Sequence, residues 1–182
     1  MSATERHPVR VEAPDDAPRV RRATGDDVDA IVGLLEIGAR RRTTIARRAA
    51  DVRAHLSGFR VADEAGVIQA CGAVEPVVPG LGEIRSVAVS EGVAGRGFGR
   101  ALVEALIEQA THDGLLRVVL LTRVPGFFAR SGFLAAPIDH LPHAYVQAIL
   151  LDRERSFEGK TAMLLSIASA PIEPPIEAQG RG

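Results

Sequence analysis

A chain of 182 residues, 46% hydrophobic and 25% charged, is long enough to bury one full core without disulfides or a metal. Its formal net charge of -1 at pH 7 argues against a general nucleic-acid binder, and its one cysteine excludes an intramolecular disulfide framework and suits a reducing cytoplasm. No apolar stretch approaches the roughly 20 residues of a membrane span and the N-terminus lacks the apolar region of a signal peptide, so the expected location is cytoplasmic.

Residues 1–18 carry Pro8, Pro14 and Pro18 among mixed charges, and 169–182 hold Pro171, Pro174, Pro175 and a Gly-Arg-Gly finish. Neither shows an apolar period, and both read as flexible tails around one domain, 19–168. Within it, Arg19–Arg22 reads as a strand. Thr24 then opens a helix, with Asp27 in the capping-box position and Ile31, Leu34 and Leu35 facing inward. A second helix is expected over about Thr43–Leu56, and the clusters Arg40-Arg41-Arg42 and Arg47-Arg48 read as a solvated helix face. Phe59–Asp63 and Val67–Val78 form a hairpin joined at Glu64-Ala65-Gly66. Cys71 lies in this apolar run and reads as a buried structural thiol. The Pro79-Gly80 turn leads into a strand that carries Glu83.

From Gly82 to Gly99 the chain reads G-E-I-R-S-V-A-V-S-E-G-V-A-G-R-G-F-G and passes directly into the apolar-periodic segment Arg100–Ala110. This is a strand, a glycine turn and a helix start in immediate succession. Ile84, Val87 and Val89 supply the β-branched run, and Gly92, Gly95, Gly97 and Gly99 let the backbone turn tightly. The helix start then aims free amides and a positive dipole end at a phosphate. A Walker loop would need Gly-Lys-Ser/Thr where Gly97 is followed by Phe98 and Gly99. A dinucleotide fold would need an acidic residue ending a second strand about 20 residues on, which is missing. Coenzyme A remains, because its pyrophosphate needs the same amide cradle.

The long helix runs to about His112. Val118–Leu121 is a short buried strand, Pro125 starts a short helix ending at Gly132, Leu141–Leu151 is a further helix, and Ala162–Ile167 is the last strand. His55, His112, His140 and His143 show no metal-ligand spacing, so no metal site is expected.

Val87-Ala88-Val89 followed by Ala94-Gly95-Arg96-Gly97-Phe98-Gly99 resembles the core motif of the GNAT superfamily of acyl-CoA N-acyltransferases, and the resemblance covers roughly Val20 to Ile167. It implies an α/β GNAT fold with a mixed, mostly antiparallel central sheet and flanking helices, and acetyl-CoA as cosubstrate. The cofactor would be held by Val87, Ala88, Val89, Ala94, Gly95, Arg96, Gly97, Phe98, Gly99, Arg100 and Phe128. Ala94 stands where Arg or Gln is usual, which implies weakened cofactor binding. The resemblance also implies splayed strands that free the Val89 amide to polarise the thioester carbonyl. Glu83 would be the base acting through water, and period two puts it on one face with Arg85, Val87 and Val89. Phe128 occupies the position of a tyrosine that often protonates the leaving thiolate. The only tyrosine, Tyr145, lies further along, leaving that proton to water or to the intermediate's own ammonium.

Leu121-Thr122-Arg123, Phe127-Phe128-Ala129-Arg130-Ser131-Gly132-Phe133, Ile138-Asp139-His140-Leu141-Pro142 and Gly159-Lys160-Thr161-Ala162-Met163-Leu164 are similar, in order, to motifs of the N-acetylglutamate synthase branch. The chain departs from it at Ala144 and Tyr145 and across Leu150 to Phe157. The branch implies acetyl transfer to the α-amine of L-glutamate, in arginine biosynthesis, by a short form without the amino-acid kinase domain. Two carboxylates then need cations, for which Arg85, Arg123, Arg130 and Lys160 are the candidates. Another small amine or amino acid, or a non-catalytic acyl-CoA-binding regulatory module, are the alternatives. A homodimer and sensitivity to arginine are left open.

Overall fold

The computed structural model describes residues 18–152 and 156–167, so the two expected tails, save Pro18, lie outside the described residues. Seven strands form one sheet: β1 (Arg19–Arg22), β2 (Phe59–Glu64), β3 (Val67–Val78), β4 (Leu81–Val89), β5 (Arg117–Thr122), β6 (Leu134–Ala135) and β7 (Thr161–Ser166), in the order β1-β2-β3-β4-β5-β7-β6. Tight turns dictate the antiparallel neighbours. Ala65 and Gly66 take φ of 50° and 81° between β2 and β3, and Gly80 takes 77° between β3 and β4. Only β4 and β5 run parallel, because a helix carries the chain back between them. The fold is the expected mixed, mostly antiparallel α/β arrangement. The two-residue β6 is an addition that no sequence pattern announced.

Helices α1 (Val28–Arg40) and α2 (Ala49–Ala54) cover one face of β1–β4, and Val28, Ile31, Leu35 and Val52 meet Phe59, Val61, Cys71, Ala73 and Ala88 there. Helix α3 (Phe98–His112) covers the opposite face, where Leu102, Val103 and Leu106 meet Ile84, Val118 and Leu120. Helices α4 (Pro125–Ala129) and α5 (His143–Leu151) complete the set, and α5 buries Tyr145 and Ile149 against Leu81, Val119 and Ala162. None of the described helices is long and apolar enough to cross a membrane.

Helix α2 is shorter than the expected Thr43–Leu56. Arg42 takes a left-handed φ of 61°, and both the amide and the hydroxyl of Thr43 donate to the Gly38 carbonyl, closing α1. The chain must turn before a second helix can begin. Arg40, Arg41, Arg42 and Arg48 are exposed on this corner, with Arg41 paired to Glu91 and Arg48 to Asp51.

A second correction concerns β4. Across from Cys71 and Ala73 on β3 stand Ala88 and Arg85, so Gly72 opposes two residues, Ser86 and Val87. Ser86 takes φ 57°, the left-handed region that favours glycine, and marks a β-bulge. An inserted residue flips the alternation of everything beyond it. Glu83 and Arg85 therefore lie on the face of α1 and α5, while Val87 and Val89 pack on the α3 side. The four residues do not share one face, as period two had placed them.

The N-terminal corner is held by charge. Arg21 grips Asp27 through two bonds of 2.7 and 2.8 Å and donates to Asp63 at 3.1 Å, and Asp27 accepts the Thr24 amide at 2.7 Å. The Arg21 hydrogen bonds hold the Asp27 carboxyl down from 3.8 to about 2. A depressed carboxylate stabilises the fold above its unfolded pKa and loses that contribution as pH falls through the folded one. Asp27→Asn is expected to remove about 2 kcal/mol at neutral pH. In urea melts across pH, the gap from the parent should close between about pH 4 and pH 2; a gap independent of pH would show that the ion pair is not its origin.

Candidate active site

β4 ends at Val89, and the chain turns through an exposed loop into α3. The loop amides of Ala94 and Arg96 are consumed by the carbonyls of Glu91 and Val93. Those of Gly95, Gly97, Phe98, Gly99 and Arg100 meet no acceptor among the described residues. Gly95 and Gly97 take φ of 77° and 91°, and a Cβ built on either would meet nothing within 4 Å. The loop is thus a cradle of free amides at the positive end of a 15-residue helix, open where an anion would enter. A pyrophosphate fits it. Ala94 contributes only backbone here, whereas Phe98 is buried under the helix and a Cβ on Gly99 would press on Phe127 at 3.0 Å. Arg96 lies over the Phe98 ring and donates to Glu64 at 3.1 Å, and Arg100 is tied to Glu104 at 2.7 Å.

Beside the cradle the sheet opens. β5 pairs with β4 only at Leu81, Gly82 and Glu83, and beyond Glu83 the two strands part. The Ser90 amide donates to Gln69 on β3 at 2.7 Å. Successive strand amides point to opposite edges, so the Val89 amide faces the gap left by β5. This is the position from which a backbone donor can polarise a carbonyl.

Polar side chains gather where the strands diverge. Glu83 is 4% exposed and accepts the hydroxyl of the fully buried Tyr145 at 2.9 Å. Glu83 is therefore not a solvated strand-end glutamate. Directly across the hairpin is Glu75, whose Oε2 accepts Arg85 Nη1 at 2.8 Å and whose Oε1 is buried without a hydrogen-bond partner. Sequence reasoning missed both Glu75 and Tyr145 as site residues. Tyr145 left one signal: in sequence it stands at four-residue spacing between Leu141 and Ile149, all three in one apolar cluster, and a hydroxyl there needs a buried partner.

The other candidate cations are spread out. Arg123 donates to the carbonyls of Gly159 and Glu158 at 3.1 and 3.2 Å, bracing the turn before β7. Lys160 sits half-buried at the end of that turn. Arg130 is exposed and folds back onto the Gly126 carbonyl of its own helix at 3.3 Å. Phe128 is buried in the α3-side core, edge-on to Phe127 and Phe133. Burial pushes the Cys71 thiol up to about 12, which leaves it inert beneath α1.

The chain is similar to known proteins over most of its length. An amino-acid acetyltransferase from Mycobacterium tuberculosis is 37% identical over 126 residues, 67% of this chain and 72% of that protein. One from Ralstonia nicotianae is 33% identical over 129 residues, 70% of this chain but only 29% of the relative's length. A crystal structure of a Mycobacterium tuberculosis protein in complex with CoA superposes with a TM-score of 0.75 at 28% identity, covering 83% of this chain and all of that one. Residues 29–133 match the acetyltransferase (GNAT) family model, and with the cradle, the parted strands and these relatives in place, the chain belongs to the GNAT family of N-acetyltransferases.

Proposed function

We propose that this acetyltransferase moves the acetyl group of acetyl-CoA onto the α-amine of a free amino acid, with L-glutamate as the acceptor, a reaction of arginine biosynthesis. The buried Glu83 beside the opening of the sheet carries the proposal, and the relatives described as amino-acid acetyltransferases support the acceptor class.

In this scheme the amides of the Gly95–Arg100 turn hold the pyrophosphate and thereby aim the thioester along β4. The Val89 amide receives the carbonyl oxygen and stabilises charge developing there. Glu83, directly or through water, takes a proton from the acceptor's ammonium so that the free amine attacks. The Tyr145 hydroxyl fixes the Glu83 carboxylate in one orientation. Phenylalanine at 128 has no proton to give, so the thiolate takes its proton from water or from the intermediate's own ammonium. Arg85, Arg123 and Lys160 are the candidate cations for the acceptor's carboxylates, each to be drawn from contacts it already makes, whereas Arg130, turned back on its own helix, contributes least.

Thiol release from acetyl-CoA, followed across a panel of amino acids and simple amines, tests this directly. Glutamate is expected to give the highest kcat/KM. Faster turnover of a simple amine would overturn the acceptor, and acetyl-CoA binding with no turnover of any amine would point to a regulatory module.

A further inference from the structure

The Arg85 guanidinium is the cation nearest the base along β4, yet it is already occupied. Its Nη1 lies 2.8 Å from Glu75 Oε2, and both side chains are mostly buried, at 26% and 15% exposure. Glu75 also stands directly opposite Glu83, a like-charge cross-strand pair, and its second oxygen is buried with no donor. Like charges in that position and an unmet buried acceptor both act against the fold. The Arg85 ion pair offsets part of that cost. Such a residue is poorly explained by stability.

We propose that Glu75 sets acceptor selectivity by competing with the substrate's own carboxylate for Arg85. This rests on the amino-acid acceptor proposed above. A dicarboxylic amino acid must share or take over the guanidinium that Glu75 already engages through Nη1. An acceptor whose side chain is neutral bears less of that penalty. Glu75 thus discriminates by opposing one class of substrate rather than by binding the other.

Glutamate and glutamine differ at the side-chain terminus alone, so the ratio of their kcat/KM values isolates this effect. Glu75→Gln is expected to raise the glutamate-to-glutamine ratio about tenfold or more, chiefly by lowering the glutamate KM, with the acetyl-CoA KM unchanged and Tm no lower than the parent's. In an Arg85→Gln background the same substitution should move the ratio by less than about twofold, since the cation competed for is gone. A ratio unmoved in the Arg85-containing protein, or turnover of both acceptors falling together with Tm, assigns Glu75 a structural role and overturns the proposal. If the parent acetylates neither amino acid, the acceptor assignment itself fails and selectivity falls with it, a result distinct from an unmoved ratio.

Discussion

Glu83→Gln is expected to lower turnover at neutral pH about 10²-fold or more while acetyl-CoA binding stays close to normal. The substitution keeps the shape of the side chain and leaves a carbonyl oxygen to accept the Tyr145 hydroxyl, so the packing of α5 against β4 should survive. What it removes is basicity. Acetyl-CoA would still meet the cradle, because the free amides of Gly95 and of Gly97 to Arg100 lie beyond the far end of β4. Steady-state kinetics across pH give the test. A parent-like rate with an unchanged limb on the acidic side would leave Glu83 as a core hydrogen-bond acceptor and nothing more.

Gly97→Val should raise the dissociation constant of acetyl-CoA well over tenfold, about 1.4 kcal/mol or more. Two effects act together. At φ 91° a β-branched residue is forced into backbone space it rarely enters, and the empty region around the Gly97 Cα is the room a phosphate needs. The empty surroundings favour reading the effect as blocked ligand approach, since the added Cβ would meet no neighbour within 4 Å. Calorimetric titration of the folded variant reads the effect, and unaltered affinity would refute the pyrophosphate assignment.

Much of the architecture was legible because it is written in local chemistry. Alternating β-branched residues, the Ala65-Gly66 and Pro79-Gly80 turns, the Thr24 and Asp27 pair and the glycines after Val89 each have a near-neighbour cause, and each element appears within a few residues of its expected place. The second helix was overdrawn because Thr43 closes α1 by bonding back to Gly38, a tertiary choice that helical periodicity does not record. The glycine turn proposed for the cofactor was legible as a local pattern. The residues proposed for the acceptor are brought together by irregularities that leave no mark in composition.

The hairpin shows why. Val78 pairs with Leu81, and a regular ladder from there would set Glu75 against Ile84; an extra residue near Val77 shifts the register so that Glu75 meets Glu83 instead. A second irregularity, at Ser86, separates Arg85 from Val87 and Val89. Ser86 takes a backbone conformation that glycine adopts more readily, and Val77 is an ordinary strand residue, so nothing in the sequence draws attention to either. Tyr145 joins the site from a helix 62 positions away from Glu83.

Three residue pairs between β4 and β5 are all the ladder that joins two antiparallel ribbons, one built from the first half of the chain and one from the second. The glycine cradle, Glu75, Glu83 and Arg85 belong to the first ribbon or its exit, whereas Tyr145 and Arg123 arrive with the second. During synthesis the leading ribbon can gather its strands through short-range hairpins while the rest is still unmade. A nascent or clipped chain of that kind could hold the cradle, but its Glu83 would have neither its hydroxyl partner nor the far wall of the opening. On the proposed role of Glu83, catalytic competence is acquired last, when the seam closes, and activity reports completion of both ribbons.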